Sequence, residues 1–430
     1  MTAAAIGAFS VVGLLFLLAL RIPVALSLIG VSFLGIWGAR GWNPAWGVLK
    51  SVPYEFVSNW TLTSVPMFVL MGYVGFYSGI TSGLFNLAKA LLHRLPGSLA
   101  ISSTFACTAF ASMCGSSVAC AAAMGRIAIP EMVAAGYNRN LACGAIAAGG
   151  TLGALIPPSI LMILFGVIAQ VSIVELFISG FIIGILSAVA YVLIFLVFAW
   201  LRPDWVPRRL QSTDVPSLKQ ALIDTGPALL IMVATFGGMF GGIFTATEAG
   251  AVGAFLSLVY AFVSGRIGRD KVNQALVDTV MTCGALFLIG VGAIMLTRLL
   301  SISGLGMTIS SLVHAMELSY WQLMLMIVAL YLVLGMFLDP FGAMLITLPI
   351  FLPILNQYGI DLVFFGVFMV KMLEIGMLTP PVGMNVFVIK SVVGNLTTLG
   401  GIFRGVAPFF IVDLLVVALI VAYPALALLR

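Results

Sequence analysis

Two short segments of this sequence interrupt apolar stretches with residues that release backbone oxygens. Residues 149–159 read GGTLGALIPPS and residues 376–385 read GMLTPPVGMN. Glycine permits unusual backbone angles, whereas each proline removes an amide donor and pushes the residue before it out of helix. Upstream of each break lies a second interruption. In residues 112–125 it is Gly115, Ser116 and Ser117 among small side chains, and in residues 335–344 it is Asp339 and Pro340. Freed carbonyls together with hydroxyl or carboxylate oxygens are what a hard cation such as sodium coordinates, and half-helix N-termini attract anionic groups. Small residues at an interruption also let it approach the broken helix closely.

The two sets of interruptions are copies. A shift of 223 residues carries Pro130 onto Pro353, Gly136 onto Gly359, Gly153 onto Gly376, and Pro157 and Pro158 onto Pro380 and Pro381. Gly30 meets Gly253 at the same offset, and with a two-residue slip Ser82, Gly83, Leu84 and His93 meet Ser303, Gly304, Leu305 and His314. Such self-similarity marks a duplicated unit. One Pro-Pro pair can be a packing kink, but paired interruptions in two halves are a sequence pointer to a transport site.

The elements that hold these residues are membrane helices. Hydrophobic residues make up 62% of the chain and charged ones 8%, against about 25% charged in soluble domains. Apolar segments of roughly 20 residues, the length that spans a bilayer, recur throughout. The first, residues 6–20, has no basic residue before it and reads as a retained helix rather than a secretory signal. From Leu141 to Val174 no residue is charged, and a straight helix of that length would run about 50 Å, too long for a ~30 Å hydrocarbon core. It is expected to break at residues 149–159. The fold class expected is an all-α polytopic membrane protein. Residues 1–201 form one repeat, with a re-entrant hairpin at about 98–135 and a broken helix at about 141–170. Residues 202–222 form a linker, and residues 223–430 form the second repeat, with hairpin and broken helix at about 319–358 and 362–391.

Charge position sets the expected topology. Arg202, Arg208, Arg209 and Lys219 cluster in the linker, and Arg266, Arg269 and Lys271 cluster two spans later, so both loops lie on the cytoplasmic side. An odd number of crossings per copy then places the N-terminus outside and inverts the second copy, as in many secondary transporters. The net charge of +5 is too dispersed to suggest nucleic acid. The five cysteines sit singly in apolar segments and read as buried small hydrophobes.

Three charged positions have two readings each, and a fourth place holds a pair with one. Asp339 marks an ion site, because an acid at membrane depth is costly, or it caps the second hairpin arm ahead of Pro340. Glu248 belongs to a first helical turn capped by Thr245 or Thr247, or it lines the substrate path with Thr247. Arg126, beyond the first tip, snorkels to the surface or serves the site. Lys371 and Glu374, a turn apart before the second break, read as a local ion pair.

The segments GSSVACAAAMG…IPEM, GTLGALIPPSI, GGIFTATEAGAVGA, LGMFLDPFGAMLITLPIFLPI and TPPVGMNVFVI occur in this order over nearly the whole chain. The pattern resembles the large membrane subunit of a TRAP (tripartite ATP-independent periplasmic) transporter. The resemblance implies a sodium-driven, elevator-type importer of organic acids in the bacterial inner membrane. It would work with a small four-helix membrane subunit and a soluble periplasmic binding protein. Carried over by position, one sodium site would use Gly115, Ser116 and Ser117 with carbonyls around Gly153 to Pro157. A second would use Asp339 to Gly342 with Gly376, Thr379 and Asn385. The substrate carboxylate would lie near Ser116, Ser117, Pro158, Ser159, Thr379 and Pro380. Cys114 departs from the family pattern, which often has serine there, so the first sodium site is expected to rely on backbone.

Residue chemistry is compatible with that reading. No lysine or arginine coincides with the breaks, so bound cations would have to balance an anionic substrate, and no GxxxxGK[ST] phosphate loop is present to power a pump. A passive anion channel and a structural membrane subunit are the alternatives. An intramembrane hydrolase ranks lower, because no serine or acid in the breaks is paired with a histidine.

Overall fold

The computed structural model describes residues 2–20, 22–207, 215–265 and 267–428. Arg208 and Arg209 of the first basic cluster and Arg266 of the second lie outside the described residues, as does the middle of the linker. The described residues are helical throughout, without strands. Seven helices are long and apolar enough to cross a membrane, or up to eight if the bent pair Trp60–Tyr77 and Ser82–Leu92 counts as one span. Two of them, Leu218–Phe240 and Ala246–Val263, separate the two basic clusters.

The helices fall where the punctuation puts them. A first hairpin consists of Ser98–Cys114 and Ser117–Ala134, and a second of Tyr320–Gly335 and Pro340–Gln357. The second arm of the latter begins and ends 223 residues after its counterpart. The first broken helix is Arg139–Thr151 followed by Ile160–Ala169; the second is Leu362–Gly376 followed by Met384–Val393. Both Pro-Pro bonds, Pro157-Pro158 and Pro380-Pro381, are cis. A long outer helix follows each broken one, Ile173–Leu201 and Leu399–Ala422. The copies differ in one place: Arg269–Ser303 is a single helix of 35 residues, whereas the corresponding stretch of the first half is divided into Trp42–Val57 and Ser64–Tyr77. There Asn59 accepts a hydrogen bond from the Thr61 amide and starts a separate short turn.

Hairpins and broken helices are the centre of the molecule. Every residue from Val363 to Gly376 is buried, as are most of Ser98–Cys114, while Ile173–Leu201 presents Val189, Leu193 and Val197 outward. An outward apolar face suits lipid, and Tyr320–Gly335, the first arm of the second hairpin, shares it through Trp321, Leu325 and Val333. Contacts at the centre are made backbone to backbone. A Cβ at Gly153 would lie 1.8 Å from the Ala111 Cβ, so the first break presses directly on the first hairpin arm. The second copy repeats this with two glycines, since a Cβ at Gly335 would lie 2.5 Å from the Gly376 Cα. The first broken helix is held against the last outer helix in the same way, where a Cβ at Gly144 would meet the Gly405 carbonyl carbon at 2.2 Å. With no hydrophobic force between helices in lipid, close approach of small residues supplies the packing.

Overpacking such a contact costs about 1–3 kcal/mol. Gly153→Ala is therefore expected to lower the unfolding temperature of the detergent-purified protein. Gly13→Ala, whose Cβ would meet nothing within 4 Å, is expected to leave it unchanged or raise it slightly. Equal effects of the two substitutions in a thermal scan would contradict this packing.

Candidate functional site

The two hairpin tips end at the same cavity. It has a volume of about 220 Å³ and is walled by Gly115, Ser116, Ser117 and Val118 from the first tip and by Asp339, Pro340 and Phe341 from the second. Ala154 and Leu161 reach it from the first broken helix, and Glu374, Met377 and Met384 from the second. Four helices thus point their first turns at this space: those beginning at Ser117, Ile160, Pro340 and Met384. Three helix ends also reach it, at Gly115, Ala154 and Met377. Helix N-termini carry partial positive charge and C-termini partial negative charge, so the cavity offers amides to an anion and carbonyls to a cation.

Each tip is built by a cap. Gly115 takes a φ of +61°, a left-handed conformation that glycine adopts without penalty, and so turns the chain. Ser116 then caps the second arm, its hydroxyl accepting from the Ala119 amide at 3.3 Å. Asp339 caps the matching arm by accepting from the Gly342 amide at 3.0 Å, with Pro340 in the first position. Its capping reading therefore holds, and its carboxylate also lines the cavity. The first break ends in the same fashion, with Ser159 accepting from the Met162 amide at 3.3 Å. The Cys114 thiol donates to the Ser116 carbonyl at 3.4 Å, leaving that turn to be shaped by backbone.

Other residues read from the sequence stand around the cavity rather than in its wall. Gly153 and Gly376 are contact points between hairpin and broken helix. Gly342 is buried behind Asp339, and Pro157 faces a separate apolar pocket together with Ser112 and Ile156. Thr379 is buried and donates to its own helix at Ile375, at 2.8 Å. Pro158 is buried, and its carbonyl oxygen would meet a Cβ on Gly115 at 3.2 Å. Pro380 is exposed. Asn385 is fully buried and bridges the halves, its amide group donating to the Ala147 carbonyl at 3.2 Å while its own carbonyl oxygen has no partner. Thr245, not Thr247, caps the helix that holds Glu248. The Thr245 hydroxyl accepts from the Glu248 amide at 3.3 Å, and the Glu248 carboxylate accepts from the Thr245 amide at 2.8 Å.

Glu374 is the site residue that local reasoning assigns wrongly. The structure does not pair it with Lys371. The Ser117 hydroxyl donates to Glu374 Oε1 at 3.1 Å, across the two halves, and Oε2 is buried without a partner. Lys371 instead lies 2.6 Å from Asp413 on the last outer helix and donates to the Ser187 hydroxyl at 3.1 Å. Tyr191 donates to the other Asp413 oxygen at 2.6 Å. Lys371 and Asp413 are each 1% exposed, so this is a neutral, hydrogen-bonded ion pair inside the protein. An acid beside a lysine one turn away looks like an intrahelical pair in sequence. The signal against it was that the whole helix is apolar on every side, so both groups had to find partners on other elements.

Removing one member of a buried pair costs about 3–5 kcal/mol because the other charge is stranded, whereas replacing both with apolar residues is close to neutral. Lys371→Met is thus expected to destabilise the purified protein strongly, and Lys371→Met combined with Asp413→Leu to recover most of the loss. A double variant as unstable as the single one in chemical unfolding would refute the pairing.

Residues 11–426 match the family model described as tripartite ATP-independent periplasmic transporter, DctM component. The chain is 36% identical over 381 residues to the C4-dicarboxylate TRAP transporter large permease protein DctM of Pseudomonas aeruginosa, covering 87% of each. It is 33% identical to the sialic acid TRAP transporter large permease protein SiaM of Vibrio cholerae, covering 98% of this chain and 97% of that one. Among solved structures, the YdaH transporter of Alcanivorax borkumensis superposes with a TM-score of 0.63 at 15% identity, covering 90% of this chain and 89% of that one. That likeness is one of fold. The relatives are named as transporter permease components, not enzymes. The chain belongs to the DctM family, the large membrane permeases of tripartite ATP-independent periplasmic transporters.

Proposed function

We propose that this chain is the translocating subunit of a sodium-coupled importer for an organic acid anion. It is fed by a periplasmic binding protein and assembled with a small four-helix membrane subunit in the bacterial inner membrane, with its own N-terminus in the periplasm. The observation that carries this reading is the composition of the cavity between the hairpin tips. Asp339 and Glu374 are its two acidic residues, and no lysine or arginine is among the described residues that line it. The acidic side chains, serine hydroxyls and three helix C-termini offer ligands to a cation, the four helix N-termini offer amides to an anion, and bound cations in turn offset the charge of a carboxylate substrate. Relatives named for C4-dicarboxylate, isethionate and sialic acid transport support an organic anion as cargo. Each net positive charge carried inward gains about 2.3 kcal/mol per 100 mV of membrane potential, which supplies the driving force without ATP.

The repeated helix order is the support for inverted repeats, with residues 1–201 and 223–430 inserted in opposite senses about the linker. In this reading the hairpins and broken helices form the moving unit of an elevator. They are held together by the glycine contacts and by the Ser117–Glu374 and Asn385–Ala147 bonds. They carry with them Ile173–Leu201 and Leu399–Ala422, to which the Lys371–Asp413 cluster and the Gly144–Gly405 contact tie them, and they slide against the remaining helices. Sodium ligands are drawn from the first tip with carbonyls of Gly153 to Pro157, and from Asp339 to Gly342 with Gly376, Thr379 and Asn385. Thr379 takes part by its carbonyl or by turning its hydroxyl away from Ile375. The substrate carboxylate lies near Ser116 and Ser117, with Pro158, Ser159, Thr247 and Pro380 along its path.

Uptake into proteoliposomes holding the large and small subunits, with binding protein outside, tests the coupling. Accumulation is expected only under an inward sodium gradient, and equal uptake with and without it would refute the proposal. A charge-assisted contact contributes about 1.5–3 kcal/mol. Asp339→Asn is accordingly expected to raise the half-saturating sodium concentration by roughly 10- to 100-fold, read from uptake against external sodium.

A further inference from the structure

A second cleft starts at the same tip and leads away from the cation cavity. It has a volume of about 170 Å³ and lies between the first hairpin and the helices Ser64–Tyr77 and Arg269–Ser303. Ser116 stands at one end, Tyr73 and Thr282 on the far wall, and Arg126 on the hairpin side. Tyr73 and Thr282 share a hydrogen bond of 2.9 Å between their hydroxyls. No acidic residue lines the cleft.

Arg126 is the unusual member. It sits in the middle of Ser117–Ala134, a helix apolar enough to count as a candidate span, yet it is exposed and has no hydrogen-bond, ion-pair or ring partner. An arginine in an apolar helix without a countercharge is costly unless it meets water, and this one lines the cleft. Nine residues separate it from Ser117, a rise of roughly 13 Å. Helical side chains lean toward the N-terminus, so the guanidinium is carried back toward the tip. Between the two, Ala119, Ala122 and Ala123 keep the helix face flat, leaving room for a small molecule along the hairpin.

We propose that Arg126 is a specificity-determining residue that receives an anionic group of the transported organic acid, in the cleft between the first hairpin and the helices Ser64–Tyr77 and Arg269–Ser303. This rests on the reading of the chain as an organic anion importer, and names where part of the anion's charge is met. A guanidinium forks onto two oxygens of a carboxylate or sulfonate, and in a dicarboxylate the second carboxylate reaches the tip at Ser116. The small volume suits one end of such a molecule.

The test uses the complete complex with succinate, isethionate and sialic acid as separate probes. Arg126→Gln is expected to raise the half-saturating concentration of whichever probe the wild type accumulates by at least tenfold. Its sodium dependence should be unchanged, and Arg126→Lys should recover part of the loss. An unchanged half-saturating concentration in Arg126→Gln would overturn the proposal. A second measurement needs no variant. Labelling of Arg126 in the wild-type complex by an arginine-directed dicarbonyl, read by mass spectrometry, is expected to slow when one of the three anions is present and not with a neutral analogue. Absence of protection by all three would overturn the proposal even where the variants fail to fold. Wild-type complex that accumulates no probe under a sodium gradient, yet shows anion protection of Arg126, would count against the importer reading while keeping this site.

Discussion

Backbone that leaves helical geometry inside a membrane must still have its amides and carbonyls satisfied, and the rest of this structure follows from that requirement. Lipid offers no partners, so irregular chain is tolerated only where protein or a hydrated cavity meets it. Here each break is met by a hairpin. The hairpins can come close enough only because their contact points are glycine and alanine, at Gly153 against Ala111 and Gly335 against Gly376. Caps at Ser116, Asp339 and Ser159 then take up amides at three of the four helix starts. The groups that remain face the cavity between the tips.

Electrostatics divides the interior into a settled region and an unsettled one. Lys371, Asp413, Ser187 and Tyr191 satisfy one another and tie the second broken helix to the two long outer helices. One turn farther along, Glu374 has one oxygen bound to Ser117 and the other buried without a partner. Asn385 repeats the arrangement, bonded across the halves by its nitrogen and unpaired at its oxygen. Such half-satisfied groups are costly in a static protein. They are what a protein that binds and releases an ion at this place would be expected to keep.

Much of this was legible in the chain because it is local. The Pro-Pro breaks, the glycine at the first tip and the aspartate before Pro340 each dictate backbone within a few residues, and the helix ends observed fall beside them. The 223-residue spacing gave the second set of elements from the first. Pairings across the fold were not legible. Nothing near Ser117 indicates that its hydroxyl reaches Glu374, 257 residues away, and the lysine one turn from Glu374 offers a false local partner. Asp413 lies in a helix whose one other charged residue is Arg404 near its start, and its charge is visible there but its destination is not. Choosing between Thr245 and Thr247 failed for a smaller reason: both fit a helix start, and only the return bond from Glu248 separates them.

The undivided helix Arg269–Ser303 has a consequence of its own. At 35 residues it is about 52 Å long, and fitting it within a ~30 Å hydrocarbon core would need a tilt of roughly 55°, beyond the 0–40° seen for membrane helices. Part of it must stand clear of the lipid. Its charged residues show which part, since four of the five, Arg269, Asp270, Lys271 and Asp278, fall within the first ten positions together with Asn273 and Gln274. Asp278 accepts from Tyr77 at 2.6 Å and from Gln274 at 2.8 Å, so this end is braced rather than frayed. The protein therefore raises a rigid post above one membrane face, a fixed landmark beside which any vertical travel of the hairpins would be measured.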